Sequence, residues 1–569
     1  MSEEIQEKMQ ADRQRILDAR KKGLGATIKT YVNLSGPGWL QSAITLGGGS
    51  LAGSLYLGIL GGYEMMWLQP LMMVFGIVML SAISYVALSS GEKPFKSLNQ
   101  HVSPVLGWGW AIATLMANLV WAMPQFSLGT AALQQNLGIM PGRGGEFVMA
   151  MFLFGFSAVV VSLYVKGGAA FRFFDLLLKG MVGVVVLSFF AVVFVMAFKG
   201  GGLPWGDIFV GFIPNPGLLF HPASSLQPFV DGSAAPDYWR ETVVSAQRDR
   251  MVAAAATAVG INMTFLLPYS MLKRGWNRDF RGLAVFDLST GLFLPFLVAT
   301  SCVVIAAASQ FHARPEPGLI EVHQPGATIE VPAKLRGAYE GNLLKMLEAT
   351  GMGAVAELNE KDKAAVFAGL PETDRILAAT MIERDAFALA NSLETLAGKG
   401  IAQYVFGIGV VGMAISTIII LMLINGFVVC EMMGLKMEGM VYRIACFLPG
   451  ISGALGALFL WSTKAKFYLA VPTSKFGMVL LPIAYIAFFC LMNNRKLLGD
   501  AMPRGNRRIA WNILMGIGVA LALIGAAVSI LSDNSRIPGT GVFVKHVVLG
   551  VIAVLVMLGF GIRTSGGKE

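Results

Sequence analysis

The chain is written as long apolar blocks separated by short basic loops. Blocks longer than the ~18 residues that mark a membrane-crossing helix recur along most of its length. They fall at 33–60, 64–90, 105–137, 146–166, 173–199, 251–273, 286–310, 400–430, 439–462, 475–492, 509–532 and 544–562. The pattern predicts an all-α membrane protein with about 12 transmembrane helices. Two polar segments interrupt it, Gly200 to Arg250 and His312 to Lys399, both rich in Pro, Gly and acidic residues. They read as loop insertions. In the second, helical periodicity at Leu343, Leu344, Met346 and Leu347, and again from Ile376 to Leu389, predicts a small helical cap over the outer mouth.

Composition agrees with this pattern. Hydrophobic residues make up 55% and charged residues 14%, against roughly 25% charged in soluble domains. A net charge of +10 does not point to nucleic acid, because the basic residues sit mainly in loops between spans. With the N-terminus inside, the inner loops hold Lys93 and Lys96, then Lys166 and Arg172, then Lys273, Arg274, Arg278 and Arg281, and finally Arg495, Lys496, Arg504, Arg507 and Arg508. An even number of spans then leaves both termini cytoplasmic. The polar arm, residues 1–30, has no cleavable leader pattern; Ile5, Met9, Ile16 and Leu24 give it a weak apolar face, and it reads as a solvated or surface-lying tail.

The four cysteines, Cys302, Cys430, Cys446 and Cys490, lie in apolar blocks and form neither a disulfide framework nor a zinc spacing. His312 and His323 are too loosely spaced to suggest a metal site. Neither loop brings together a nucleophile, a base and an orienting group, so an enzyme is not expected, and no cofactor is implied.

The candidate chemistry lies in two interrupted helices. In the first, Thr45-Leu-Gly-Gly-Gly-Ser50 sits mid-span, and each glycine costs about 1 kcal/mol relative to alanine in a helix. Unwinding is expected over Gly47, Gly48, Gly49 and Ser50, though the same small residues would also suit close helix packing. In the sixth, Asn262, Met263 and Thr264 precede Pro268 and Tyr269; an ordinary proline kink is the competing reading. Two breaks five spans apart are what an inverted repeat of five plus five helices produces, with the substrate held where both halves open. Gln41, Gln69, Gln125, Gln403, Ser416, Thr417 and Asn425 could line a path or bond between helices. Asp175 and Glu431 lie near cytoplasmic ends, and Lys475 opens the tenth span with room to snorkel.

Gly36-Pro-Gly-Trp-Leu-Gln-Ser-Ala43, Leu51-Ala-Gly-Ser-Leu55, Phe406-Gly-Ile-Gly-Val-Val-Gly-Met-Ala-Ile-Ser-Thr417 and Asn494-Arg-Lys-Leu-Leu-Gly499 together resemble the NRAMP family of divalent metal transporters. The resemblance covers residues 31–500 apart from the insertions 200–250 and 312–399. It implies a LeuT-type fold with broken helices 1 and 6, followed by two additional C-terminal helices in 501–569. It also implies a secondary transporter in the bilayer of the cell (inner) membrane, moving a metal cation.

The chain departs from the family at its chemical centre. Gly47, Gly48, Gly49 and Ser50 stand where the family has Asp-Pro-Gly-Asn, and Asn262, Met263 and Thr264 stand where it has Met-Pro-His. A one-residue slip would make Met263 the family methionine. The family's proton-handling acids fall on Met123 and Phe126, beside Pro124 and Gln125. Ser50, Asn262 and Met263 remain as metal contacts, without a carboxylate. A divalent ion stripped of water needs anionic ligands, so a hydrated ion such as magnesium is expected before tightly held manganese or iron. Two alternatives remain: a carrier of a non-metal solute, and a non-transporting sensor or structural protein. The NRAMP-like domain of the plant ethylene-signalling membrane protein resembles the latter.

Overall fold

A computed structural model describes residues 3–166, 168–199, 202–324, 329–460, 470–533, 542, 543, 545–550 and 554. The N-terminal arm is helical, α1 (Glu3–Lys22) and α2 (Leu24–Leu34). It is docked rather than free. Ile16 is fully buried, Arg13 pairs with Asp279, and Arg20 donates to Tyr31 Oη (3.1 Å) and to the Asp279 carbonyl (3.0 Å). Leu24, expected on the same apolar face, is 78% exposed.

The membrane helices follow in order. The first span is split into α3 (Pro37–Thr45) and α4 (Gly48–Gly61), and α5 (Leu68–Ser90) returns to the short surface helix α6 (Pro94–His101). Next come α7 (Pro104–Ala131), continuing helically to Asn136, then α8 (Arg143–Lys166) and α9 (Gly168–Lys199). Short helices α10 (Trp205–Val210) and α11 (Gln227–Asp231) lead to a second split helix, α12 (Pro236–Ala258) and α13 (Ile261–Lys273), and α14 (Arg281–Asp287) runs on into α15 (Leu294–Phe311). The second polar segment forms α16 (Ala333–Ala349), α17 (Glu360–Gly369), α18 (Glu372–Thr380) and α19 (Ala386–Ala397). The chain closes with α20 (Phe406–Met432), α21 (Gly439–Leu455), α22 (Ala470–Met492), the single turn α23 (Arg495–Leu498) and α24 (Asn506–Leu531).

Among the described residues, ten helices are long and apolar enough to cross a membrane, and the bent pair containing α3 and α4 makes an eleventh crossing. Eleven of the expected spans are therefore present. The twelfth lies mostly outside the described residues; only 545–550 and 554 are described there, as helix. Helix α20 is central: every residue from Met413 to Val428 is buried, as expected of a helix that is apolar all round, and it packs against α3, α7, α9 and α21.

Two boundaries differ from the sequence expectation. The sixth span begins at Pro236, not near 251, because its polar first turns find partners above the apolar region. Arg248 donates to the Leu219 carbonyl (3.1 Å), and Asp249 accepts from Lys475 Nζ (3.0 Å). The periodicity from Ile376 to Leu389 is divided between α18 and α19, because Asp385 caps α19 through the Ala388 N–H (2.7 Å).

The two polar segments fold together. Trp239 and Val243 from the first share a second hydrophobic core with Tyr339, Leu343, Leu347, Phe367 and Leu377 from the second. The buried Asp374 ties them, accepting from Trp239 Nε1 (2.7 Å) and the Ala234 N–H (2.9 Å). Beneath this cap, above Tyr56 of α4, lies a cavity of about 1240 Å³.

Candidate functional site: two interrupted helices

The first break is shorter than expected and lies earlier. Leu46 (φ −77°, ψ 65°) and Gly47 (φ −119°, ψ −178°) leave the helix, while Gly48, Gly49 and Ser50 form the first turn of α4. The two halves meet at 57°. Gly47 is extended, a conformation open to any residue, so its glycine is required by proximity: a Cβ there would lie 2.6 Å from Thr417 Oγ1. Gly49 is pressed similarly against the Trp121 ring. Ser50 Oγ donates to the Thr45 carbonyl across the break, and Thr417 Oγ1 donates to the carbonyls of Ala43 (3.3 Å) and Ile44 (3.4 Å). Gln125 Oε1 accepts the Gly48 N–H at 2.8 Å, satisfying one of the orphan donors that open any helix.

The second break also precedes its expected position. Val259 (φ −138°, ψ 109°) and Gly260 (φ −81°, ψ 159°) are extended, and Asn262, Met263 and Thr264 form the first turn of α13. Pro268 lies inside α13 and does not end it. Asn262 Oδ1 accepts the Met263 N–H (3.0 Å), and Thr264 Oγ1 donates to the Ile261 carbonyl while accepting from Trp110 Nε1 (2.9 Å).

The two breaks meet through Met263, whose sulfur accepts from Thr45 Oγ1 (3.0 Å) and from the Gly260 N–H (3.4 Å). Seven residues were expected at the site. Of these, Met263 contacts the opposite break directly, Gly47, Gly48 and Gly49 are held against neighbouring helices, and Asn262, Ser50 and Thr264 are engaged in local or side-chain bonds.

One face of α7 lies against both breaks. Trp110 reaches Thr264, Trp121 lies on Gly49 and Gln125 holds Gly48. Met123 and Phe126, where the resemblance placed acids, face away, against Gly456 and Gly453. Between Trp110 and Gln125 on the site-facing stripe stands Asn118, which the sequence reading passed over; a search for polar residues at helical spacing, Thr114, Asn118 and Gln125, would have found it.

The other polar candidates act mainly as cross-links. Gln69 accepts from Ser54 (2.8 Å) and donates to Thr257 (3.4 Å), joining α4, α5 and α12. Gln403 bonds Asn136 (3.0 Å) and Asn391 (2.7 Å), Asn425 donates to the Ala445 carbonyl (2.7 Å), and Ser416 bonds back to Met413 (3.2 Å). Gln41 is fully buried with no partner for its amide. Lys475 does not snorkel; it is held by Asp249 and by Ser532 (3.1 Å). His312 bonds the Ile59 carbonyl (2.8 Å) and Ser225, and His323 pairs with Glu340 (3.0 Å).

The side chains bonded across the breaks are neutral. Among the described residues no three His, Cys, Asp or Glu side chains cluster as metal ligands. Charge lies instead at the far end of α3, roughly 13 Å along its axis. There the buried Asp287 accepts the N–H groups of Gly36 (3.1 Å) and Gly38 (2.6 Å), and Asp175 pairs with Arg274 (2.7 Å) and Lys179 (2.9 Å). Glu431 pairs with Lys93.

Half-helices broken at a shared level inside an all-helical membrane core define a LeuT-type transporter architecture. The sequence matches the family model for natural resistance-associated macrophage protein-like (Nramp) proteins over residues 38–332 and 365–558, and the chain belongs to this family. Among solved structures it is similar to a manganese transporter of Eremococcus coleocola. A variant of that transporter with a histidine replaced by alanine superposes with a TM-score of 0.63 at 13% identity, covering 94% of each chain. Its complex with an aromatic bis-isothiourea substituted compound gives 0.62 at 13% identity, again over 94% of each chain. At this identity the likeness concerns the fold. No individually curated protein matches the sequence.

Proposed function

We propose that the protein is a secondary transporter of a divalent metal cation that retains much of its water shell, magnesium being the best fit. The observation that supports this reading is the neutral donor set at the breaks. Thr45, Met263, Gln125 and Thr417 surround the unwound backbone of Leu46 and Gly47, with Val259 and Gly260 opposite. Carbonyls at the ends of half-helices α3 and α12 attract a cation, but neutral dipoles do not offset its full dehydration. Magnesium sheds water reluctantly and is commonly bound with several waters, which suits such a lining.

In the same reading, residues 31–500 form the transport core, with 200–250 and 312–399 as outer insertions and 501–569 supplying two further helices. The termini and the basic loops face the cytoplasm of a cell membrane, in line with the positive-inside rule, and substrate reaches the breaks from beneath the cap.

The test is uptake of magnesium and of manganese into proteoliposomes. Saturable magnesium uptake, with manganese transported no better, is the expected result. Absence of flux for both ions would overturn the proposal. In a Gly47→Asp/Thr417→Ala variant, the added carboxylate should shift preference towards manganese.

A further inference from the structure

We infer that Asn118 of α7 is a substrate contact, its side-chain amide holding water molecules of the hydrated cation midway between the two breaks. This rests on the proposed transport of a hydrated divalent ion.

Asn118 lies on one stripe of α7 with Trp110, Thr114, Trp121 and Gln125, all within a narrow arc at 100° per residue. Both ends of the stripe are located by contacts: Trp110 donates to Thr264 in the first turn of α13, and Gln125 accepts from Gly48 in the first turn of α4. At 1.5 Å per residue Asn118 stands about 12 Å from the first and about 10 Å from the second. It therefore projects from α7 at the level where the two broken helices face each other, with Trp121 of the next turn lying on Gly49.

The Asn118 side chain is fully buried, yet neither its carbonyl oxygen nor its amide nitrogen has a protein partner. Buried amides are nearly always bonded, and leaving both halves open is costly in a structural role. The neighbouring Gln125 shows the same asymmetry: its oxygen is used by Gly48 while its nitrogen is unpartnered. An amide offers an acceptor and two donors. Water bound to a divalent cation is a strong donor, so the Asn118 carbonyl is suited to accept from it. A carboxylate here would instead favour direct capture of a dehydrated metal.

The test compares magnesium uptake by wild type, Asn118→Leu and Asn118→Asp in proteoliposomes, with thermal unfolding of each purified protein. For Asn118→Leu the expected result is a KM raised at least tenfold with an unfolding temperature equal to or above that of wild type, since the removed amide satisfied nothing in the protein. For Asn118→Asp the expected result is a gain in manganese relative to magnesium uptake that grows as pH rises. Wild-type flux with an unchanged KM in Asn118→Leu overturns this inference alone. A KM change accompanied by a lowered unfolding temperature also overturns it, by showing a structural role. Absence of divalent flux in wild type overturns the transport reading and this inference together.

Discussion

The two breaks serve one site but are built differently. The first is held by other helices. Thr417 of α20 bonds the end of α3, Gln125 of α7 caps α4, and the halves are bent by 57°. At its far end α4 is met by another foreign residue, His312, bonded to the Ile59 carbonyl. The second break is largely self-contained at the backbone: Asn262 and Thr264 satisfy their own turn of α13, other helices reach it only through side-chain bonds from Trp110 to Thr264 and from Thr45 to Met263, and no bend above 40° separates α12 from α13. The geometry at Leu46–Gly47 therefore depends on where α7 and α20 stand, whereas that at Val259–Gly260 travels with its own helix. If transport rearranges the α3–α4 pair, its neighbours are the groups that must change partners.

Substitutions can probe this contrast, beginning with the strongest. Gly47→Asp should destabilise the protein by about 3 kcal/mol or more, since it overpacks Thr417 and buries a carboxylate. Adding Thr417→Ala should restore a measurable part of the unfolding temperature in detergent. An unaltered melting temperature in the single variant would break the claim that α20 clamps this break.

Gln125→Leu leaves the Gly48 N–H buried and unpaired, with an expected loss of about 1–3 kcal/mol and faster amide exchange at the start of α4. Asn262→Ala should cost less, about 1 kcal/mol, as the loss of a local cap. Exchange changes would be confined to α13. If they spread to α4, the second break is not self-contained.

A pH experiment addresses the far end of α4. Burial lowers the pKa of His312 below its ordinary 6.5, and its ring donates to the Ile59 carbonyl while accepting from Ser225. Because the unfolded chain takes up the proton first, this contribution is complete above about pH 6.5 and is lost as pH falls below it. His312→Gln should flatten that part of the melting-temperature profile. Smallest of all, Gly260→Ala meets only the tip of the flexible Asn262 side chain at 2.6 Å and should cost below about 1 kcal/mol.

Much of this protein was legible without coordinates. Long apolar spans have few ways to satisfy their backbone in a bilayer except as helices, so the element type and eleven of the twelve expected spans followed from the hydrophobic pattern. The glycine run and the polar trio in the sixth span marked the correct neighbourhoods for the same local reason, namely weak helix propensity beside unpaired backbone.

The tertiary structure decided what propensity leaves open. The first break stands at Leu46–Gly47 because Thr417 and Gln125, distant in sequence, satisfy the backbone groups that flank it, the carbonyls of Ala43 and Ile44 and the N–H of Gly48. Pro268 is tolerated within α13, and Pro236 starts α12 about four turns before the apolar block because cap residues bond its polar face. Trp110, Trp121 and Gln125, rather than Met123 and Phe126, turn to the breaks because the rotation of α7 is set by its neighbours. The sequence determined that the helices exist and that the glycine run and the polar trio carry no carboxylate; helix packing alone determined which neutral groups meet at the breaks, since such contacts join residues from 77 to 374 positions apart.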